Sequence, residues 1–324
     1  MIWLSWRQQR IETLITGAFL VILAAAFIPA GIHAADLFTQ QHLAACVNSQ
    51  SEACSYAVGN FANEGGFVRS LLEGGWLNLI PGLIGAALAA PLLLELENGT
   101  TRLAWTQSVT RRRWLATKAG AALATVVLAG IAYGLLFTWY QRPFDRIWGR
   151  WDQFGFEGIV PVAYVLFALG LTLAIGVLVR RGVAALIVGF GAYVGARLFV
   201  QSWLRQRFAT PLSATWVTGS PGPTLTRDWV VEGGQSDKAG HFFHGNPIVL
   251  IQRCGPAHPL QANGKAHPVP LAPACLRRLG AGFEHVLYQP ASRFWEFQGI
   301  EFALFAGVAL LLISFAAWRV LRTD

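Results

Sequence analysis

The sequence predicts an all-α integral membrane protein with six transmembrane helices, both termini in the cytoplasm and an extracytoplasmic domain between helices 5 and 6. Three observations carry this prediction. Hydrophobic residues make up 54% of the 324 positions and charged residues 13%, a composition that excludes an ordinary water-soluble globular protein. Six apolar runs are long enough to cross a bilayer, which takes about 20 helical residues. Basic residues cluster at alternate ends of these runs.

The first apolar run follows a short segment, residues 1–10, whose tryptophans and arginines are typical of an interfacial amphipathic helix. A cleaved signal peptide is the alternative, but the run exceeds the roughly 7–15 apolar residues of a signal. Only Arg180, Arg181 and Gly182 separate the ends of the fourth and fifth runs, so these helices should form an antiparallel pair. The predicted spans are residues 13–32, 77–94, 119–140, 159–179, 183–204 and 299–318.

The spans divide the chain into three parts. Residues 1–204 comprise the interfacial helix and transmembrane helices 1–5, with an outer loop at 33–75 and a cytoplasmic loop at 95–118. Residues 205–298 are polar and rich in Pro and Gly, and we expect a small extracytoplasmic domain there. Residues 299–324 form transmembrane helix 6 and a cytoplasmic tail.

Positive charge assigns the two sides of the membrane. The N-terminus, the 95–118 loop, the Arg180–Arg181 turn and the C-terminus together hold eleven Lys and Arg, whereas the two shorter opposite loops hold four. Cytoplasmic loops carry the excess of basic residues, so both termini should lie inside. This topology explains the net charge of +8 better than nucleic-acid binding does. We expect a multi-pass protein of the plasma membrane, which in a bacterium is the inner membrane.

All four cysteines fall in loops that this topology places outside. Disulfides persist on that oxidising side, and the spacing favours the local pairs Cys46–Cys54 and Cys254–Cys275. Spacing alone does not decide connectivity. Four free thiols and a cross-loop pairing therefore stay open as alternatives.

Residues for catalysis or metal binding are sparse in the sequence. Gly264-Lys265 is followed by Ala266 rather than by Ser or Thr, so the chain lacks a Walker phosphate loop. We expect no enzymatic activity, no catalytic residue and no cofactor in this chain. His241, His244 and the other outer histidines lack the Cys or carboxylate spacing of a zinc site, and they are predicted to be surface residues.

Two charged residues lie inside predicted spans. Counting about 1.5 Å of rise per residue places Arg197 and Glu301 at a common depth in the outer leaflet. Charges at such depth are costly and usually functional. We expect them to face the protein interior and to pair with each other, or Arg197 to pair with Glu157 at the outer start of the fourth span. The alternative is that Arg197 snorkels outward.

The polar segment between the second and third spans resembles part of a known family. It begins with Glu95 and Glu97, continues with Gly99 and Thr100, and closes with basic residues. This pattern resembles the loop after the second helix in permease subunits of the type-2 ABC (ABC-2-like) export family. Three further stretches, residues 1–8, 157–164 and 288–301, resemble an actinobacterial branch of such permeases. The matching positions in the segment are Glu95, Glu97, Gly99, Thr100, Leu103, Thr106, Ser108, Val109, Thr110, Arg111, Leu115 and Lys118.

The resemblance implies that this loop docks on a separate ATPase subunit, which would bind ATP and Mg. An amphipathic helix on the inner membrane face could seat Leu103, Trp105, Val109 and Trp114 in a groove of that partner. On residue chemistry alone, a solvated basic connector is an equal alternative. The implied ATPase-coupling residues are Glu95, Glu97, Gly99, Thr100, Arg111, Arg112, Arg113 and Lys118.

The function expected from these observations is that of the membrane half of an ATP-driven exporter. The resemblance implies two permease copies, most simply a homodimer, with the pathway between them. The cargo expected from the apolar lining is an amphiphilic small molecule or a lipid-like compound. The alternatives are a membrane-embedded lipid-modifying enzyme that uses the outer histidines or Glu157 and Glu301, and a sensor or immunity membrane protein without transport.

Overall fold

The computed structural model describes residues 2–47, 51–64, 75–97, 110–243, 253–254 and 272–322. The chain forms two compact units. The first comprises Met1–Phe208 and Phe294–Asp324, and the second comprises Ala209–Arg293. Each is described below by itself.

Seven α-helices are described in the first unit, and six of them, all but α2, are long and apolar enough to cross a membrane. Their apolar spans range from 20 to 37 residues, against the roughly 20 that a bilayer requires. The chain is therefore a multi-pass membrane protein. The helices are α1 Ile2–Gln40, α2 Glu52–Glu64, α3 Ile80–Glu97, α4 Arg111–Trp148, α5 Val160–Val179, α6 Gly182–Phe199 and α8 Phe294–Arg322.

Two helices extend beyond their predicted limits. Helix α1 runs unbroken from Ile2, so residues 1–10 do not form the separate interfacial helix that the sequence suggested. Helix α4 begins at Arg111, where the Thr110 hydroxyl accepts the backbone N–H of Arg113 at 3.4 Å as an N-cap. The basic end of the 95–118 segment is thus the first part of the third span. Hydropathy located the apolar centres, but the cap decides where a helix begins.

Helix α5 lies at the centre of the first unit. Thirteen of its 20 residues are buried, and it packs against α3, α4, α6 and α8. Glycines let these helices approach closely: a Cβ on Gly170 would lie 2.9 Å from the carbonyl oxygen of Ala309, and one on Gly189 would lie 2.8 Å from Thr172 Oγ1. Small residues at such contacts are the usual means of packing helices within lipid.

Helix α1 packs mainly on α4 through aromatic side chains. The Phe27 ring meets Phe137 and Tyr140 edge-on, at centroid distances of 4.6 and 5.1 Å. A 3₁₀ turn, Leu43–Cys46, follows α1, and a disulfide joins Cys46 to Cys54 in α2. The end of α1 is therefore covalently tied to α2.

The second unit contains a three-stranded antiparallel sheet, which corrects the all-α prediction. The strands are β1 Leu212–Val217, β2 Trp229–Ser236 and β3 Phe283–Gln289, in the order β1-β3-β2. Val occurs four times and Trp twice in these strands, and both residue types favour strands, but the polar composition of the region predicted no particular strand. The short helix α7, Pro273–Arg278, carries Cys275, which is bonded to Cys254. All four cysteines thus form the two local pairs.

Candidate functional site

The ends of the segment between α3 and α4 are joined by an ion pair. Glu95, in the last turn of α3, accepts a hydrogen bond from the ammonium group of Lys118 in α4. The Lys118 side chain is buried, and its Nζ lies 5.3 Å from the ring centroid of Trp114. A charge-assisted hydrogen bond is stronger at a shielded site than in water. The Glu95–Lys118 bond therefore fixes the end of α3 against the start of α4.

Glu97 fixes the same turn of α3 to α6. Its Oε2 accepts the backbone N–H of Gly182 at 2.7 Å, the first residue of α6. A carboxylate at a helix N-terminus is favoured by the helix dipole and satisfies a backbone donor. A Cβ on Gly182 would lie 2.9 Å from this oxygen, so a larger residue there would displace the Glu97 carboxylate from its present position. The two bonds of Glu95 and Glu97 are called the α3 clamp below.

The structure gives the other predicted coupling residues different settings. Arg112 and Arg113 are exposed on the first turn of α4. The Arg111 side chain lies outside the described residues, as do Gly99 and Thr100. The expectation that Trp114 seats in a partner protein is wrong, because its side chain is only 6% exposed and packs within this chain. The residues Leu103, Trp105 and Val109, predicted for the same groove, also lie outside the described residues.

A buried charge cluster connects α6 and α8. Glu301 has no exposed surface, and its carboxylate accepts a hydrogen bond from the Tyr164 hydroxyl. It also accepts one from Arg197 Nη1 at 3.2 Å, and two from Arg205, Nε at 2.8 Å and Nη2 at 3.0 Å. Arg197 therefore faces the interior and pairs with Glu301 rather than snorkelling outward. We call Tyr164, Arg197, Arg205 and Glu301 the Glu301 cluster.

Sequence reasoning missed Arg205, which is only 7% exposed and makes the bidentate contact. The predicted fifth span ended at residue 204, and Arg205 was assigned to the polar domain. The helix instead continues through a π-helical turn, Val200–Leu204, and a 3₁₀ turn, Arg205–Arg207. The available signal was the separation of eight residues from Arg197, which places both side chains near one helical face.

The cluster holds more positive than negative charge. Two guanidinium groups share the single carboxylate of Glu301. Each guanidinium also lies over an aromatic ring: Arg197 is 3.6 Å from the centroid of Tyr164, and Arg205 is 4.1 Å from that of Phe154. Ring faces stabilise cations without neutralising them, so a net positive charge remains buried here.

Gln298 joins the start of α5 to α8, a second role that sequence reasoning missed. Its Oε1 accepts the backbone N–H groups of Ile159 and Val160 at 3.2 and 3.1 Å, and its Nε2 donates to the Phe154 carbonyl at 2.9 Å. The resemblance of two stretches to permeases was the sequence signal for this contact. Residues 157–164 and 288–301, noted separately for their similarity to permeases, meet here through Gln298 and through the Tyr164–Glu301 bond.

Glu157 does not pair with Arg197, so that alternative is wrong. Its Oε2 lies 3.2 Å from Arg150 Nε, and Asp145 Oδ2 lies 3.4 Å from the same nitrogen. Burial, and after it the negative charge of Asp145, raises the pKa of Glu157 to about 9. Two carboxyl groups that compete for one guanidinium cannot both ionise easily.

The outer histidines show no metal-binding arrangement among the described residues, where no group of three or more His, Cys, Asp or Glu could hold an ion. His241 Nδ1 lies 3.0 Å from Asp237 Oδ2 on the surface, and this hydrogen bond lowers the pKa of Asp237. His285 is buried, so the prediction of a surface residue is wrong for it, and its Nδ1 lies 2.6 Å from Thr215 Oγ1 in the sheet. The remaining predicted surface histidines of this part, His244, His258 and His267, lie outside the described residues.

The family described as ABC-2 membrane transporter related matches residues 17–205, which is 189 of the 324 residues. The matched region contains five of the six spanning helices, the α3 clamp and both arginines of the Glu301 cluster. No curated protein and no solved structure matches the sequence significantly. Because the match covers more than half of the chain, the protein belongs to the ABC-2 membrane transporter related family and is an ABC-2-like permease.

Proposed function

We propose that this chain is the permease subunit of an ATP-driven exporter and that a separate ATPase subunit drives it through the segment 95–118. The α3 clamp carries the proposal. One helical turn at the end of α3 is bonded to α4 through Glu95 and to α6 through Glu97. A force applied to the segment between α3 and α4 therefore acts on three spanning helices together.

The packing of the first unit supports a transmitted movement. Helices α3, α4 and α6 all contact the central helix α5. ATP-driven closure of the ATPases would push on the 95–118 segment and on the Arg180–Arg181 turn, which leads directly into α6. Since packed helices shift as units, the clamped helices would tilt and open the pathway toward the outside.

The family and the charge pattern support the assembly that we propose. Two permease copies, most simply a homodimer, would work with two ATPase subunits that hold ATP and Mg. The basic residues favour cytoplasmic termini and an extracytoplasmic second unit, and its disulfide fits an oxidising compartment. An amphiphilic or lipid-like cargo fits the apolar helices.

The test is first to look for a Walker-containing ATPase in the reading frames beside this gene, and then to co-express that ATPase with the chain and purify the complex. Reversing Arg112 and Arg113 to Glu should reduce ATPase co-purification at least about tenfold, because both residues are exposed at the proposed docking side. Reversing Arg319 and Arg322 in the C-terminal turn of α8 is the matched control, since it removes the same charge from the same predicted side.

Two results would overturn the proposal. Undiminished co-purification of the ATPase with the Arg112/Arg113 variant would show that the ATPase does not dock at these residues. An equal loss with both double variants would show a general effect of charge on insertion. Protease protection of the termini in membrane vesicles reports whether each variant keeps the wild-type topology.

A further inference from the structure

A cavity of about 400 Å³ opens between the start of α3 and the end of α6. It lies at the end of these helices opposite to the Glu97–Gly182 bond. Five of its lining side chains carry N–H or O–H donors, and its lining includes no Asp or Glu among the described residues. The donors are Trp76, Asn78, Tyr193, Arg197 and Gln201.

The charge at the base of the cavity favours an anion. Arg197 shares its one carboxylate partner with Arg205, so the cluster behind the cavity carries excess positive charge. The second hydrogen bond of Arg197, from Nη2 to Asn78 Oδ1 at 3.1 Å, is made to a neutral acceptor. A guanidinium in this condition gains from a further anionic acceptor.

Exposed apolar side chains of membrane-spanning segments also line the cavity. Leu198 and Trp76 line it and are 60% and 70% exposed, and both residues belong to membrane-spanning segments. Trp76 begins its span, the position at which tryptophans commonly mark the headgroup level. The cavity thus combines a cationic base with an apolar edge, which matches an anionic headgroup attached to an acyl chain.

We propose that this cavity binds an anionic phospholipid, with the phosphate region near Arg197 and Asn78 and an acyl chain along Leu198. The site is a property of the permease chain and does not require that the lipid be transported. It therefore stands or falls independently of the ATPase coupling proposed above.

The test uses the full-length protein in nanodiscs of phosphatidylcholine with increasing phosphatidylglycerol. Phosphatidylglycerol should raise the thermal unfolding midpoint, and native mass spectrometry should show retained phosphatidylglycerol at least about tenfold in excess over phosphatidylcholine. Arg197→Gln should reduce this excess at least about tenfold, since a charge-assisted hydrogen bond is lost. The control Arg142→Gln removes one exposed positive charge outside the cavity and should keep the preference.

A second variant separates shape from charge. Val194→Trp narrows the cavity and leaves every charged residue in place, and it should abolish the retained lipid while the protein stays folded by circular dichroism. Equal retention of both lipids by the wild type, or an unchanged preference in Arg197→Gln, would overturn the proposal. Stabilisation by inorganic phosphate alone, matching that by phosphatidylglycerol, would also overturn it by assigning the site to a free anion.

Discussion

Replacing Glu301 by Gln keeps the shape of the side chain but removes the only carboxylate of the Glu301 cluster. Arg197 and Arg205 are 4% and 7% exposed, so neither guanidinium can gain full hydration when the charge is lost. Breaking a buried ion pair on one side costs about 3–5 kcal/mol. The free energy of unfolding of Glu301→Gln should fall by this amount.

The two arginines provide graded comparisons. Arg205→Gln removes both bonds of the bidentate contact, at 2.8 and 3.0 Å, and leaves Glu301 with Arg197; about 1.5–3 kcal/mol is expected for hydrogen bonds to a charged group. Arg197→Gln leaves the bidentate pair intact and removes the excess positive charge, so it should cost about 1 kcal/mol or less. The expected order of destabilisation is Glu301→Gln, then Arg205→Gln, then Arg197→Gln.

The assay is thermal unfolding in detergent, followed by the fluorescence of the 13 tryptophans. A loss of 3–5 kcal/mol corresponds to a midpoint lower by roughly 10 °C. The Glu301→Gln, Arg205→Gln double variant should lose less than the sum of the single changes, because the two groups interact directly. A Glu301→Gln unfolding midpoint within a degree of the wild-type value would refute the charge balance assigned to the cluster. A drop in midpoint smaller than the drop in Arg197→Gln would refute it too.

Three further predictions concern Glu157, Glu97 and the cysteines. Because the pKa of Glu157 is raised to about 9 from its usual 4.5, the contribution of Glu157 to stability should be complete below about pH 4.5 and be lost as the pH rises to about 9. The unfolding midpoint of Glu157→Gln should not fall over this pH range. Parallel midpoint-against-pH profiles for the variant and the wild type would disprove this prediction. Glu97→Gln weakens the α3 clamp, so ATPase stimulation should drop severalfold while ATPase co-purification is unchanged. Glu52→Gln, at an exposed position, is the control. Normal ATPase stimulation by Glu97→Gln would contradict the proposed transmission. Maleimide should label the denatured protein only after reduction, since both cysteine pairs are bonded; labelling without reductant would contradict the pairing.

The six spans and the common depth of Arg197 and Glu301 could be predicted because each depends on a local property of the chain. A run of about 20 apolar residues fixes a span, and counting the rise per residue from its ends fixes the depth of a charge within it. The burial of Arg197 and Glu301 inside the protein followed from the cost of placing a charge in lipid. No knowledge of helix packing was needed for these expectations.

Other features depended on contacts between distant parts of the chain. Arg205 joins the cluster only because a π-helical turn continues the helix past the end of the apolar run, and hydropathy carries no signal for such a turn. The Glu97–Gly182 bond links residues 85 positions apart, and the resemblance named Glu97 without naming its partner. The sheet of the second unit formed in a region where composition suggested a small domain but did not indicate its strands.

The length of α4 sets the scale of movement that the protein can transmit. Its 38 residues extend about 57 Å, whereas the hydrocarbon layer is about 30 Å thick, so the helix projects beyond that layer. A rigid rod of this length that tilts by about 10° around its middle displaces its two ends by about 5 Å in opposite directions. In the proposed coupling, a small push beside Arg112 would thereby produce an opposite shift of similar size near Trp148, at the other end of the helix.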